Sequence, residues 1–438
     1  MLSPWRPASR LKAAAAVLCC AALGGAVSVA APPAASADTI RDNQQWVLDM
    51  MNVESAWELT EGAGVTVAVI DSGVNPDVSD LTGSVITGPD YTGVTTRSSS
   101  QDWGVHGTWM ASLIAGHGDD GGDSGVIGIA PQAKILSIRV IPDRSDPHYS
   151  KYEREPETTI QQSLANGIGY AVAHGAQVIS MSIGYSAPSA PVRQALQAAY
   201  AHGVVVIASS GNSGSADGGS SGAPESFPAD YPGVISVAAV NSSGDVAGFS
   251  SDNLSVQLAA PGVSVPAQGR DGDYWWVSGT SPACALVAGV AALIKAKYPS
   301  LAPDLVATAL TTTTTGRPSG GYDSQVGFGI VDAAAALAKA RQLAGDPPAA
   351  DGIAATARFG GGPAAVPQAP VHPRGSGQLI LFALLALTSL VLTAAAVTRL
   401  TILRRSPSLP PSRRRTHRRS TTSPARSWMS STRSRPDG

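Results

Sequence analysis

The sequence predicts an α/β fold in which a parallel, doubly wound β-sheet carries helices on both of its faces. Short runs of β-branched and apolar residues alternate along the chain with longer segments of helical character, an order typical of parallel sheets. The runs are apolar at consecutive positions, as expected for strands that are buried on both faces. A separate apolar stretch near the C-terminus predicts one transmembrane helix in addition.

The expected strands and helices follow each other regularly. The strands are residues 65–70, 133–140, 178–184, 204–208, 234–240 and 256–258. The helices are residues 106–116, 158–174, 192–202, 282–298, 302–310 and 331–343. We interpret the charged, proline-containing residues 142–157 as a surface insertion. Active sites of open α/β sheets lie at the carboxyl ends of the strands, which makes Asp71, directly after the first run, a candidate site residue.

The N-terminal residues have the three parts of a secretory signal peptide. A basic start is followed by the apolar residues 13–30 and by Ala35-Ser36-Ala37, a small-residue cleavage site. Residues 1–37 are therefore interpreted as a signal peptide, with a retained membrane anchor as the alternative. Residues 38–62 form a polar and aromatic lead-in to the main domain, residues 63–345.

The C-terminal part predicts a membrane anchor. Residues 346–377 are rich in proline, alanine and glycine, which is typical of a linker. Residues 378–398 contain no charge and are long enough to cross a bilayer as a helix. The tail, residues 399–438, carries eleven arginines. The positive-inside rule then places the tail in the cytoplasm and the main domain on the outer side of the cell membrane.

The total charge is close to neutral because two regions of opposite sign compensate each other. The chain has 30 lysines and arginines and 32 acidic residues. Without the signal peptide and the tail, residues 38–398 retain 16 basic and 31 acidic residues. An acidic exported domain argues against nucleic acid as its partner. An arginine-rich tail could bind nucleic acid or anionic lipid, but beside a membrane span the topological role is favoured.

A serine lies where a tight turn leads into an apolar helix. The turn is Gly279-Thr280-Ser281, and the helix is expected to begin at Pro282, since proline suits a first helical position. The free N–H groups at a helix N-terminus favour developing negative charge, which suits a nucleophile, although serine is also a common N-cap. Cys284 is the only cysteine after the signal peptide, so no internal disulfide can form and a cysteine nucleophile is not expected.

Three residue types required for serine catalysis occur in the order Asp71, His106, Ser281. A serine hydroxyl becomes a good nucleophile when a histidine removes its proton, and a carboxylate orients that histidine. This order of acid, base and nucleophile is one of three known arrangements of the triad.

The sequence blocks around these residues resemble those of the subtilisin-like serine peptidases, the subtilase family. The blocks are residues 67–74, 106–116 and 279–293. The resemblance implies a subtilisin-like fold and a serine endopeptidase that forms an acyl-enzyme, with Asp71 as the orienting acid, His106 as the base and Ser281 as the nucleophile. A hydrolase of non-peptide esters is a weaker alternative.

The resemblance also implies a substrate site. Asn212 matches the oxyanion asparagine of the family, and the segment containing Ser180, Ser182 and Gly184 resembles the strand that pairs with the substrate backbone. The sequence departs from the usual family pattern at Trp109, where a second histidine is common, and at Pro282, where methionine is common. No cofactor is expected. Structural calcium occurs in the family, but the acidic residues 119–123 are interpreted as a solvated turn.

The order of segments resembles the mycosins, membrane-anchored subtilases of type VII secretion systems. They share a signal peptide, a short lead-in, a subtilase domain, a proline-rich linker, one membrane helix and a basic tail. The resemblance implies a polypeptide substrate, the membrane and a type VII secretion complex as partners. A mainly structural subunit that stabilises such a complex is the alternative function.

Overall fold

The centre of the protein is a parallel β-sheet. The computed structural model describes residues 37–119, 124–214 and 223–345. Its principal strands are β1 (Thr66–Asp71), β2 (Val85–Asp90), β5 (Lys134–Arg139), β6 (Val178–Met181), β7 (Val205–Ser209), β8 (Val234–Val240) and β9 (Val256–Pro261). They form a seven-stranded sheet in the order β2-β5-β1-β6-β7-β8-β9 within the described part of the chain. All the pairings are parallel, which confirms the predicted fold class.

Two short antiparallel pairs lie outside this sheet. They consist of β3 (His117–Asp119) with β4 (Ser124–Ile127), and β10 (Val265–Gln268) with β11 (Tyr274–Val277). The helices are α1 (Ala37–Met50), α2 (Val53–Trp57), α3 (Val105–Ala115), α4 (Tyr149–Tyr152), α5 (Glu157–Ala173), α6 (Ala190–Ala201), α7 (Thr280–Lys297), α8 (Pro303–Thr312) and α9 (Ala333–Gly345).

Alternate residues of the central strands face two different helical layers. In β1, Val67 and Val69 belong to the hydrophobic core that also contains α1, α3, α7, α8 and α9. Ala68 and Ile70 belong to a second core, formed with α5 and α6. Because both faces are covered, the strands are apolar at consecutive positions, as the sequence predicted.

The connections of the chain create a crevice at the carboxyl end of β1. From β1 the chain first adds β2 and β5 on one side of that strand, and then β6 to β9 on the other side. Ligands bind at such switch points, because the loops leaving the two neighbouring strands diverge there. Asp71 is the last residue of β1 and therefore lies in this crevice.

The lead-in is part of the main core. Ile40, Val47 and Leu48 of α1 are at most 2% exposed, and the indole nitrogen of Trp57 donates a hydrogen bond to the carbonyl oxygen of Ile129 over 2.8 Å. The separate lead-in predicted for residues 38–62 thus packs with the rest of the domain, because its apolar residues form one face of α1.

The interpretation of residues 142–157 as a surface insertion is wrong in part. Asp143 and Asp146 are 7% and 3% exposed, and Tyr152 is also buried. The two carboxylates are buried because backbone N–H groups and the Arg139 guanidinium bond to them. Sequence composition indicated a charged segment correctly but gave no sign of these partners.

One described helix is long and apolar enough to span a membrane. It is α7, and 89% of that stretch is buried inside the protein, which is the property of a core helix. Apart from Ala37, the first residue of α1, the predicted signal peptide lies outside the described residues, as do the linker, the membrane helix and the tail; all four remain predictions.

The packing of α1 can be tested at Ile40, which is fully buried. Ile40→Ala is expected to lower the free energy of unfolding by about 2–4 kcal/mol, because it leaves a cavity in the main core. Urea denaturation of the full chain in detergent measures the change, with the exposed Asp42→Ala as the control. Equal stability of the two variants would show that the lead-in is not part of the folded domain.

Candidate active site

Asp71 is held rigidly at the end of β1. Its side chain is 1% exposed, and one carboxylate oxygen accepts a hydrogen bond from the Ser72 backbone N–H over 2.6 Å. The neighbouring strand β5 ends at Arg139, whose guanidinium lies nearby. Its Nε donates a hydrogen bond to the carbonyl oxygen of Ser72 over 3.1 Å. The carboxylate thus has a fixed orientation before any substrate binds.

His106 binds Asp71 through one ring nitrogen. It is the second residue of α3, and its Nδ1 lies 2.8 Å and 3.0 Å from the two carboxylate oxygens of Asp71. A carboxylate can only accept, so Nδ1 carries the proton and Nε2 of the neutral ring is left as an acceptor. That tautomer is the one a general base requires.

The surroundings of His106 favour its protonated form. Burial alone would lower its pKa, but the charge and hydrogen bond of Asp71 and the charge of Asp143 raise the pKa above the ordinary value of 6.5. The side chain is 31% exposed, so the outer part of the ring remains open to a substrate.

The position of His106 depends on very close packing between α3 and the segment after β1. A Cβ atom on Gly107 would overlap the carbonyl oxygen of Gly73, and one on Gly104 would lie 3.1 Å from the Gly73 carbonyl carbon. Gly104, the N-cap residue, also has a φ of 75°, a conformation that glycine adopts readily. Position 107 therefore has no space for a side chain, and position 104 strongly favours glycine.

Two side chains from other segments bond the first N–H groups of α3. The Asp143 carboxylate accepts hydrogen bonds from the backbone N–H groups of Val105 and His106, each over 2.9 Å. The Ser72 hydroxyl oxygen accepts one from the Gly107 N–H over 3.1 Å. Sequence reasoning missed Asp143, because no motif surrounds it.

Ser281 lies at the start of α7, which begins earlier than predicted. The helix begins at Thr280 and follows Gly279, whose φ of 153° is a conformation that L side chains rarely adopt. Pro282 is consequently the third helical residue, where its missing N–H leaves no helical bond unmade. Ser281 is the second, so its own N–H also lacks a partner within the helix.

Asn212 lies beside this turn. Its side-chain oxygen accepts hydrogen bonds from the Thr280 N–H over 2.8 Å and from the Thr280 hydroxyl over 3.0 Å. With the oxygen fixed in this way, the amide nitrogen lies toward Gly279, 3.4 Å from where a Cβ atom of that residue would be. An N–H donor is thus held beside Gly279, two residues before Ser281.

The predicted substrate strand divides into two parts. Ser180 lies inside β6, paired with β1 and β7 on its two sides and 2% exposed. Ser182 and Gly184 follow the end of the strand; Ser182 is partly exposed and Gly184 is exposed. The Ser182 hydroxyl donates to the Ser281 carbonyl oxygen over 3.3 Å. Of the three residues, only Ser182 and Gly184 lie beyond the sheet, and Ser182 contacts the candidate nucleophile.

An open cleft of about 220 Å³ joins His106 to Ser281. Three tryptophans form much of its wall: Trp109, Trp275 and Trp276. Pro282 also lines it. The Trp109 ring packs edge-on against the His106 ring, with centroids 6.2 Å apart. The two departures from the family pattern noted in the sequence, Trp109 and Pro282, therefore both line the space beside the reacting groups.

The structure brings the three predicted residues to one cleft, but one of the expected hydrogen bonds is missing. Among the described residues, no hydrogen bond joins the Ser281 hydroxyl to the His106 ring, although both line the same cleft. Catalytic hydrogen bonds are often long without substrate and shorten when it binds. The arrangement offers a serine hydroxyl, a ring nitrogen acceptor, an orienting carboxylate and amide donors.

The described residues contain no cluster of three or more acidic, histidine or cysteine side chains that could hold a metal ion. Of the acidic turn at residues 119–123, only Asp119 is among them. The prediction that this turn is solvated stays a prediction.

A comparison with protein families shows to which family the chain belongs. The model of the Subtilase family matches residues 62–329, more than half of the chain. The chain belongs to the subtilase family. Subtilisin DY from Bacillus licheniformis is 36% identical over 278 residues, which cover 63% of this chain and 92% of subtilisin DY. The protein is therefore a subtilisin-like serine peptidase, as the sequence blocks predicted.

Solved structures similar to this subtilase include two mycosins. MycP1 from Mycobacterium smegmatis has a TM-score of 0.55 and 30% identity, and the match covers 67% of this chain and 84% of MycP1. MycP3, described as a protease from the type VII (ESX-3) secretion system, has a TM-score of 0.56 and 31% identity, covering 67% of this chain and 87% of MycP3. The predicted similarity to mycosins is confirmed at the level of the peptidase domain.

The close packing of α3 can be tested at Gly107. Gly107→Ala is expected to cost about 1–3 kcal/mol of stability, because the added methyl group has no space against Gly73. It is also expected to lower kcat/KM on a chromogenic peptide by about 100-fold, because moving the helix displaces His106 from Asp71. Urea denaturation and steady-state kinetics measure the two effects.

The matched control is Gly169→Ala in α5. A Cβ atom on Gly169 would meet nothing within 4 Å, so the helix is expected to gain up to about 1 kcal/mol and the activity to stay unchanged. Similar behaviour of both variants would contradict the requirement for close packing at Gly107.

Proposed function

We propose that the protein is a membrane-anchored serine endopeptidase in which Asp71, His106 and Ser281 form the catalytic triad. The observation that carries the proposal is the pair of contacts between His106 Nδ1 and the Asp71 carboxylate, 2.8 Å and 3.0 Å long, beside a cleft that Ser281 also lines. Membership of a family of serine peptidases supports the assignment of the nucleophile.

In the first half-reaction Ser281 is acylated. His106 Nε2 accepts the proton of the Ser281 hydroxyl as its oxygen attacks the scissile carbonyl carbon. The ring becomes an imidazolium, which the Asp71 carboxylate stabilises through the Nδ1 proton. His106 then donates the proton from Nε2 to the leaving amine, and the acyl group stays on Ser281 as an ester.

In the second half-reaction water releases the acyl group. His106 Nε2 accepts a proton from water, whose oxygen attacks the ester carbonyl, and the proton then returns to the Ser281 oxygen. Because the ring exchanges a proton in both halves, the enzyme requires His106 to be neutral before each attack. The raised pKa of His106 makes the neutral ring a stronger base once it has formed.

Two donors are suited to the oxyanion that forms on the attacked carbonyl. One is the Asn212 side-chain amide, whose orientation Thr280 fixes, and the other is the Ser281 backbone N–H at the start of α7. Such donors act strongly because they are oriented before the charge develops, and losing one costs about 100- to 1000-fold in rate.

The segment around Ser182 and Gly184 is suited to the acyl side of an extended polypeptide. Its backbone leaves the sheet next to Ser281, so a peptide could add to it as a further strand. The aromatic cleft is lined by His106, which must reach the leaving amine, and by Ser281. We therefore assign the cleft to the leaving side of the substrate, where its tryptophans favour apolar side chains.

The proposed location is supported by the sequence and by relatives. The uncharged residues 378–398 and the arginine-rich tail support a single membrane span with the peptidase domain outside the cell membrane. The similar structures of MycP1 and MycP3 are described as parts of the ESX-1 and ESX-3 type VII secretion systems. This similarity supports association of the present chain with a type VII secretion system.

A fluorophosphonate tests the catalytic assignment, because it reacts with activated serines. The full chain in detergent is expected to be labelled at Ser281, and Ser281→Ala to lose both labelling and peptide cleavage. Ser278→Ala is the control, since Ser278 lines the same cleft but is not the assigned nucleophile. A folded wild-type chain that is never labelled, or is labelled elsewhere, would disprove the assignment.

A second role as a stabilising subunit of a secretion complex can be separated from catalysis. A strain carrying Ser281→Ala is expected to secrete type VII substrates in an untrimmed form if the chain acts by proteolysis on them. Full secretion by this strain together with failed secretion by a deletion strain would assign the structural role to the protein. Normal secretion by the deletion strain would contradict any association with that system.

A further inference from the structure

The N-terminus of α3 lacks a capping side chain of its own. Helices commonly begin with a serine, threonine, aspartate or asparagine whose side chain accepts from the first N–H groups. Here the N-cap is Gly104, which makes no such bond. A side chain at this position would be strained by the φ of 75° and crowded by Gly73, so the acceptors that the start of α3 needs come from another part of the chain.

Asp143 supplies the missing acceptors. It follows β5 in the sequence and is 37 residues from His106, yet its two oxygens accept from the N–H groups of Val105 and His106 at 2.9 Å each. Since both oxygens accept backbone hydrogen bonds, the geometry matches the ionised carboxylate. A negative charge at a helix N-terminus is also stabilised by the helix dipole.

The burial of Asp143 makes this arrangement more than a surface cap. The residue is 7% exposed. Burial raises its pKa, although hydrogen bonds from His106, Val105 and Ser72 favour the charged form and oppose this rise. Ser72 thus interacts with Asp143 and also with α3, because its hydroxyl oxygen accepts a hydrogen bond from the Gly107 N–H. One carboxylate and one hydroxyl therefore fix the first three N–H groups of the helix that carries the base.

We propose that Asp143 is a positioning residue for His106. The Asp143 carboxylate takes the place of a capping side chain of α3 and thereby holds the imidazole against Asp71. This inference rests on the proposed role of His106 as the general base. Asp143 bonds the backbone of His106, whereas Asp71 bonds its ring. The two carboxylates thus fix the same residue from two directions.

The charges around this pair give the proposal a measurable consequence. His106 faces Asp71 from β1 and Asp143 from the loop after β5. Asp143 in turn interacts with Asp71 and with Arg270, which lies between β10 and β11. Both carboxylates favour the imidazolium, so replacing Asp143 by a neutral residue removes one cause of the raised His106 pKa. The base then becomes neutral at lower pH.

The test follows the rate of Ser281 labelling by a fluorophosphonate as a function of pH, with the full chain in detergent. In the wild type, labelling is expected to rise with a midpoint above pH 6.5, because the pKa of His106 is raised. Asp143→Asn is expected to move that midpoint to lower pH by about half a unit or more. It is also expected to lower the plateau rate by about tenfold or more, because the helix start is less firmly held.

Asp146→Asn is the matched control. Asp146 is a buried carboxylate of the same loop but bonds Arg139 rather than α3, so its loss is expected to affect stability and to leave the pH midpoint unchanged. Asp143→Glu retains the charge and is expected to restore the midpoint. A midpoint in Asp143→Asn equal to that of the wild type, or an equal shift in Asp146→Asn, would overturn the proposal.

Two further outcomes remain distinguishable. If the circular dichroism of Asp143→Asn shows that it does not fold, Asp143→Glu and Asp143→Gln are compared instead, since they differ only in charge; equal midpoints for these two would overturn the proposal. If the wild type is folded but never labelled at Ser281, the proposed catalytic function fails first, and the role of Asp143 fails with it.

Discussion

The candidate active site depends on one close backbone contact, between the start of α3 and the carbonyl group of Gly73. A side chain at position 107 would overlap this carbonyl oxygen, and one at position 104 would be crowded and strained. The contact sets the distance between the end of β1 and the helix that carries His106. Because β1 ends at Asp71, two residues before Gly73, the same contact brings the imidazole within 2.8 Å of the carboxylate. A methyl group added at Gly107 would overlap the Gly73 carbonyl oxygen, and the helix could then not hold the imidazole at this distance from the carboxylate.

This close contact leaves the helix without a capping side chain, and the loop after β5 compensates for the loss. Asp143 bonds the start of α3, while Asp146, three residues later, bonds the Arg139 guanidinium over 2.9 Å. Arg139 donates in turn to Asp90 and to the carbonyl oxygen of Ser72. The loop thus connects the end of β5, the end of β1 and the helix in one polar network. Buried charges are tolerated in such a network because each has an oppositely charged or hydrogen-bonding partner.

The other half of the site depends on α7, which lies in the middle of the main core. From Pro282 to Ile294 its residues are apolar or small on all sides, because the helix packs against α3 and the sheet together. Cys284 belongs to this packing: it is buried next to Ser180, and burial raises the pKa of its thiol to about 11. The thiol is therefore neutral and acts as a small core residue. A helix packed in this way gives Ser281 a fixed position relative to the sheet, and its first residue, Thr280, orients Asn212 by two hydrogen bonds.

The sequence by itself determined the parallel sheet, and it was enough to propose Asp71, His106 and Ser281 as candidate site residues, because these features lie in short continuous segments with their own periodicity or motif. It did not reveal that α1 packs into the core or that Asp143 caps α3. Both depend on contacts between segments far apart in the chain; 37 residues separate Asp143 from His106. Composition made Asp143 look like a surface charge, since an aspartate is usually exposed. Only the tertiary structure places the N–H groups of α3 beside it, and these partners decide that the charge is buried.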